Sequence, residues 1–165
     1  MPVKTVMLLR HAKSDWDDQS LRDFDRPLAD RGRGDAPRIG KAIRKKGRIP
    51  DLIISSPAAR ARETIEAVVK SAGLEASPQF DETIYGAEPA DLLKLIRSLP
   101  DSRSSVLLVG HNPTFEHLLA RLAATDEHMP TAALACIEFQ IDHWEDVDDG
   151  QGKLVWFVTP KDLPR

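Results

Sequence analysis

The sequence predicts an α/β fold: a three-layer α/β/α sandwich built on a mostly parallel sheet, with an antiparallel strand pair at the C-terminal end. Two observations predict it. Short apolar runs with the composition of buried strands alternate along the chain with segments whose apolar residues recur at helical spacing. Only the last two strand candidates follow one another without a helix, and an acidic, Gly-bearing loop joins them. The 165 residues are about one domain's length. No repeat, low-complexity tract or linker divides them, so 1–165 is read as one domain.

Val3 to Leu9 is apolar and β-rich, and reads as the first strand. Asp30 is placed to cap a helix to about Lys46, with Pro37 expected to kink or demote its early part. Asp51 to Ser55 is a short apolar strand. Ser56 then caps a helix with Pro57 at its first position, running to Ala72 and stopped by Gly73. Ala58, Ala61, Ile65, Val68 and Val69 form its apolar face. A brief strand falls near Ser77 to Asp81. Pro89 opens a helix to about Leu99, with Leu92, Leu93 and Ile96 on one side. Ser105 to Val109 is another buried strand, and Pro113 opens the helix carrying Phe115, Leu118, Leu119 and Leu122. Ala135 to Ile141 and Lys153 to Val158 complete the sheet as the hairpin-style pair.

Composition removes several function classes. With 41% hydrophobic and 30% charged residues, the chain is neither disordered nor membrane-embedded. The longest apolar stretch near the N-terminus, Val6 to Leu9, is too short for a signal peptide or a membrane span. The single cysteine, Cys136, excludes an intramolecular disulfide framework and a cysteine-rich zinc site. Both features point to the reducing cytoplasm. The net charge is −3 and no Lys/Arg run forms a nucleic-acid footprint. No membrane or nucleic-acid partner is therefore expected.

The unusual residues begin where strands stop, the place where open α/β sheets bind ligands. They are Leu9-Arg10-His11-Ala12, Ser55-Ser56-Pro57 leading to Arg60, and Gly110-His111-Asn112-Pro113. Two of them also open helices, whose N-terminal amides favour anions. Two arginines and two histidines at one sheet edge suit a phosphate, because guanidinium offers a planar, permanently charged fork. Arg10 and His11 are adjacent, so both enter one pocket only if the chain leaves the strand there.

Arg10-His11-Ala12 resembles the Arg-His-Gly signature of the histidine phosphatase superfamily, the phosphoglycerate-mutase-like enzymes. The run from Ser55 to Thr64 is similar to that family's second motif, and Gly110 to Pro113 to its third. Asp81 to Gly86 resembles the segment carrying its acidic residue. Short length and Asp25-Arg26-Pro27-Leu28 point to the SixA-type phosphohistidine phosphatase branch. The resemblance implies a phosphatase with His11 as nucleophile and Arg10, Arg60 and His111 around the phosphoryl oxygens. Glu82 would be the proton donor and water activator, with Asp81 beside it as the next candidate. His11 must be unprotonated for attack, whereas His111 helps most as imidazolium. Ser14, Arg26 and Asn112 are further candidates for substrate contact. No cofactor and no metal is implied. Ala12 stands where glycine is usual.

Arg60 and Arg62 lie about 200° apart on a helix, so at most one reaches the phosphate; family position selects Arg60. Arg62, near Glu63 and Glu66, is read as a surface ion pair. His117, His128 and His143 are read as ordinary structural residues, and Cys136 as a buried small hydrophobe. Few residues separate Glu82 from His111, which leaves no room for the roof of larger relatives and implies an open, shallow pocket. The substrate is then a phosphorylated protein, with phosphohistidine on a signalling protein the leading case, or a small phosphate ester. A non-catalytic phosphate-binding module and a metal-dependent hydrolase using His11 and His111 are the alternatives from other classes.

Overall fold

The computed structural model describes residues 2–165. Six strands form one sheet: β1 (Lys4–Arg10), β2 (Leu52–Ser55), β3 (Pro78–Phe80), β4 (Ser105–Gly110), β5 (Leu134–Phe139) and β6 (Lys153–Val158). Four α-helices connect them: α1 (Asp30–Lys46), α2 (Ala59–Ala72), α3 (Pro89–Arg97) and α4 (Thr114–Ala123). The strand order is β3-β2-β4-β1-β5-β6. β1, β2, β3 and β4 pair in parallel, while β5 runs antiparallel to both β1 and β6. The expected C-terminal pair is therefore antiparallel within itself, and β6 regains the direction of β1. No helix among the described residues is long and apolar enough to cross a membrane.

Strand alternation splits the core into two layers. Val6 and Leu8 of β1, Val106 and Leu108 of β4, and Ala135 and Ile137 of β5 face α3 and α4, with the fully buried Trp144. Met7 and Leu9, Leu107 and Val109, and Leu134 and Cys136 face α1 and α2. Both faces are covered, which is why these strands read as unbroken apolar runs. Cys136 is fully buried and its thiol is pushed up to about 11 by burial.

Helices α1 and α2 differ from expectation. Pro37 lies inside α1 and the helix runs through it. Buried residues on both sides of it, Asp35 and Ala36 before and Ile39, Gly40 and Ile43 after, hold the helix against the core, so packing overrides the lost hydrogen bond. Asp30 is the first helical residue, with Ala29 as the cap. Helix α2 starts at Ala59 rather than at Pro57. The Ser56 hydroxyl accepts from the Ala58 amide at 3.2 Å and lies 2.8 Å from His111, so it serves the turn and the site instead of a helix cap.

Helices α1 and α2 cross closely at Gly40, where an added Cβ would lie 1.8 Å from the Ser71 hydroxyl and 2.7 Å from the Val68 carbonyl. Gly34, on the same helix, has nothing within 4 Å of that position. Gly40→Ala should destabilise the protein by about 1–3 kcal/mol through overpacking, and Gly34→Ala should stabilise it by about 0.5–1 kcal/mol. Urea unfolding of the two variants checks the opposite signs.

Candidate active site

The site assembles at the carboxyl ends of β1, β2 and β4. β1 and β4 pair in register from Thr5–Ser105 to Arg10–Gly110. The pairing then extends one bond further, because the His11 amide donates to the Gly110 carbonyl at 3.0 Å. His11 is thus the first residue beyond β1 and His111 the first beyond β4, and their rings sit 5.2 Å apart. Arg10 closes its strand and His11 leaves it, as required for both to serve one pocket.

His11 is 7% exposed. Its Nδ1 donates to the Ala12 carbonyl at 2.7 Å, which fixes the tautomer and leaves Nε2 with its lone pair. Arg60 donates to that Nε2 through Nε at 3.3 Å. Burial, with the charges of Arg60 and Arg10 added, pushes His11 down to about 4 despite the bond to Ala12. Ala12 is itself buried, and its amide donates to the Thr64 hydroxyl at 3.0 Å. The side chain at this position is accommodated within the core beside α2.

His111 contacts the Ser56 hydroxyl through Nε2, and its buried Nδ1 has no partner among the described residues. Burial, then the neighbouring His11 and Arg60, push it down to about 3. The expected imidazolium is therefore not the form that the protein alone favours. An anion brought between the rings opposes the same arginine charges and raises the affinity for a proton.

Arg10 donates through Nη1 to the Met129 carbonyl at 3.0 Å, and Asn112 donates to the same carbonyl at 2.9 Å. Glu116 of α4 accepts from the Met129 amide at 2.6 Å and meets His128 at 2.7 Å. Asn112 thus fixes the segment that fixes Arg10. Among the described residues Arg10 Nε is buried without a partner.

Ser14 and Arg26 lie in the loop after β1. The Trp16 indole donates to the Ser14 hydroxyl at 3.0 Å, and the Arg26 guanidinium stacks 4.0 Å from the Trp16 ring. Arg26 donates to the carbonyls of Asp18 and Leu21, so its fork is spent on the loop. No hydrogen bond among the described residues joins Ser14 or Arg26 to the histidines. Glu82 opens a short turn and is exposed, and its carboxylate makes no hydrogen bond among the described residues. Asp81 is committed to capping that turn, accepting from the Thr83 amide and hydroxyl. Arg62 is exposed. It donates to the Pro57 carbonyl and lies over the Phe80 ring rather than pairing with Glu63 or Glu66.

Two residues at the site were not singled out by sequence reasoning. Asp23 accepts from both terminal nitrogens of Arg60, Nη1 on its carbonyl at 2.7 Å and Nη2 on Oδ2 at 3.0 Å. The Tyr85 hydroxyl donates to the same Oδ2 at 2.7 Å, and its ring packs edge-on against His111 at 5.5 Å. Burial pushes the Asp23 carboxyl up, but the bonds from Tyr85 and Arg60 outweigh it and hold the group below the usual carboxylate range. Tyr85 is the only tyrosine of the chain and lies within the acidic-segment motif, a signal that was present. No group of three or more His, Cys, Asp or Glu side chains among the described residues is placed to hold a metal ion.

The chain matches the model of the histidine phosphatase superfamily (branch 1) over residues 6–89. It belongs to that superfamily. An uncharacterized protein of Mycobacterium tuberculosis is 35% identical over 164 residues, which is 93% of this chain and 100% of that protein. The structure of the candidate phosphohistidine phosphatase SixA from Agrobacterium tumefaciens is 33% identical with a TM-score of 0.82, covering 97% of this chain and 99% of that one. A second candidate SixA, from Nakamurella multipartitia, is 26% identical with a TM-score of 0.84 over 97% and 98% of the two chains. This histidine phosphatase is therefore an enzyme, a phosphatase with the mixed α/β fold of its family.

Both site histidines are buried as neutral imidazoles, whereas in the unfolded chain they titrate near 6.5. As pH falls from about 6.5 to about 4, the unfolded state takes up protons that the folded state refuses. Stability is thus full above that window and lost as pH drops through it. Urea unfolding between pH 7 and pH 4 should show the fall, and His11→Ala should flatten it. For catalysis, Arg60→Lys keeps the charge but loses the fork, and should cost roughly 10²–10³ in kcat/KM. Arg62→Lys should change it less than about threefold. Steady-state assays of both variants decide whether Arg60 is the phosphate ligand.

Proposed function

We propose that this phosphatase works through a covalent phosphohistidine on His11, without a metal, and that its natural substrate is phosphohistidine on a signalling protein in the cytoplasm. The observation that carries the mechanism is the state of His11. Its Nδ1–H is bound to the Ala12 carbonyl, and Nε2 keeps an unprotonated lone pair beside Arg60. Nε2 attacks phosphorus, the bond from phosphorus to the leaving atom breaks with its electron pair, and a phosphoryl group rests on His11. Water then attacks phosphorus, and the pair of the P–Nε2 bond returns to Nε2. Arg10, Arg60 and His111 surround the equatorial oxygens and stabilise their charge. The unpartnered Arg10 Nε and His111 Nδ1 are the atoms this would satisfy.

Glu82, exposed three residues before Tyr85, is the carboxylate proposed to exchange protons with leaving groups and water. Ser14, Arg26 and Asn112 serve the substrate one step removed, by holding the loop after β1 and the Met129 segment. The substrate class draws its support from the two candidate SixA phosphatases. It draws further support from the short Glu82–His111 connection, filled by α3 and β4 alone. The positive charge of the site comes from guanidinium groups, so no cation is needed to neutralise the phosphoryl oxygens.

Wild-type enzyme mixed with phosphohistidine and quenched rapidly without acid should carry one phosphoryl group on His11, seen by mass spectrometry. His11→Ala should carry none and turn over nothing, and exhaustive EDTA treatment should leave wild-type activity intact. A fully active His11→Ala enzyme, or activity restored only by added Mg²⁺, Mn²⁺ or Zn²⁺, overturns the mechanism.

A further inference from the structure

Arg60 is committed on two sides. Its Nε addresses the nucleophilic Nε2 of His11, while both terminal nitrogens are held by Asp23. His11 and Arg60 are 7% and 8% exposed and form the floor of the site. The Asp23 side chain is 47% exposed, so its carboxylate stands between that floor and solvent. The hydrogen bonds from Arg60 and Tyr85 both fall on Oδ2, which leaves Oδ1 free among the described residues.

We propose that Asp23 determines substrate specificity: its free carboxylate oxygen accepts a hydrogen bond from the leaving nitrogen heterocycle and so favours N-phosphoryl substrates over phosphate esters. This rests on the phosphohistidine reading above and gives it a residue.

The chemistry follows from the charge of each leaving group. Phosphohistidine reacts with a proton on its second ring nitrogen. When His11 Nε2 bonds to phosphorus, the P–N bond breaks, its electron pair goes to the leaving nitrogen, and neutral imidazole departs with that proton still in place. An anionic acceptor beside the ring N–H stabilises the protonated form that reacts. A serine ester sends the pair to oxygen, and an alkoxide must be given a proton. Asp23, ionised on Arg60 and Tyr85, has none to give, and its charge opposes the developing one. Asp23 therefore lowers the barrier for one class and raises it for the other.

The test is Asp23→Asn in the full chain, with kcat/KM measured at one pH for N-phosphorylhistidine and for O-phosphoserine. Asparagine retains an oxygen to accept from Arg60 and Tyr85 while losing the charge. The ratio of the two constants is free of any loss of folded enzyme, because both are read on one preparation. The ratio of N-phosphorylhistidine to O-phosphoserine activity should fall by about tenfold or more, the weight of one charge-assisted hydrogen bond. Equal losses on both substrates would mean that Asp23 only positions Arg60, overturning the specificity role while the phosphohistidine reading stands. A wild-type enzyme that forms the His11 adduct from O-phosphoserine but not from N-phosphorylhistidine overturns both together.

Discussion

The parallel pairing of β1 with β4 is the constraint on which the site depends. Register is maintained from Thr5–Ser105 to Arg10–Gly110 and is carried past the strand by the bond from the His11 amide to Gly110. Slipping it by one residue would turn either Val6 and Leu8 or Val106 and Leu108 toward the wrong helix layer. The two apolar layers thus lock the register, and the register brings the two histidines together. Gly110 admits the close packing this requires, since a Cβ there would lie 2.5 Å from the Phe115 ring. Nothing in this placement needs a bond between the histidines themselves.

Electrostatics at the site is a balance among buried groups. Arg10 and Arg60 concentrate positive charge where burial already disfavours it. The protein responds by keeping both histidines neutral and by setting Asp23 on Arg60. The neutral form of an imidazole is the nucleophilic one, so on the proposed mechanism the same charges that attract a phosphoryl group also keep His11 ready to accept it. The groups that hold Arg10 in place are largely backbone. Arg10 and Asn112 converge on one carbonyl, that of Met129, and Glu116 holds the amide of the same residue.

Strands β1, β2 and β4 were legible because burial on both faces writes an unbroken apolar run, and their ends because polar motifs follow them directly. Pro37 does not end α1, because local propensity speaks for the isolated helix, while the packing of Ile39, Gly40 and Ile43 against α2 and the sheet is non-local. Ser56 has the composition of a cap, yet His111 lies within reach of its hydroxyl. Asp23 was illegible for a different reason. It is one of five aspartates between Asp15 and Asp25, and no periodicity separates it from Asp15, Asp17, Asp18 or Asp25. Only the fold, by bringing Arg60 from α2 and Tyr85 from beyond β3, distinguishes it.

The sole cysteine carries a consequence for life under oxidative stress. Peroxides attack thiolates, and Cys136 is sealed inside the sheet with its thiol held protonated at any physiological pH. A phosphatase built on a cysteine nucleophile must present a reactive thiolate to solvent and can be silenced by its oxidation. The nucleophile proposed for this enzyme is an imidazole, and the one sulfhydryl is out of reach. On that mechanism, dephosphorylation does not depend on a thiolate that peroxide could oxidise.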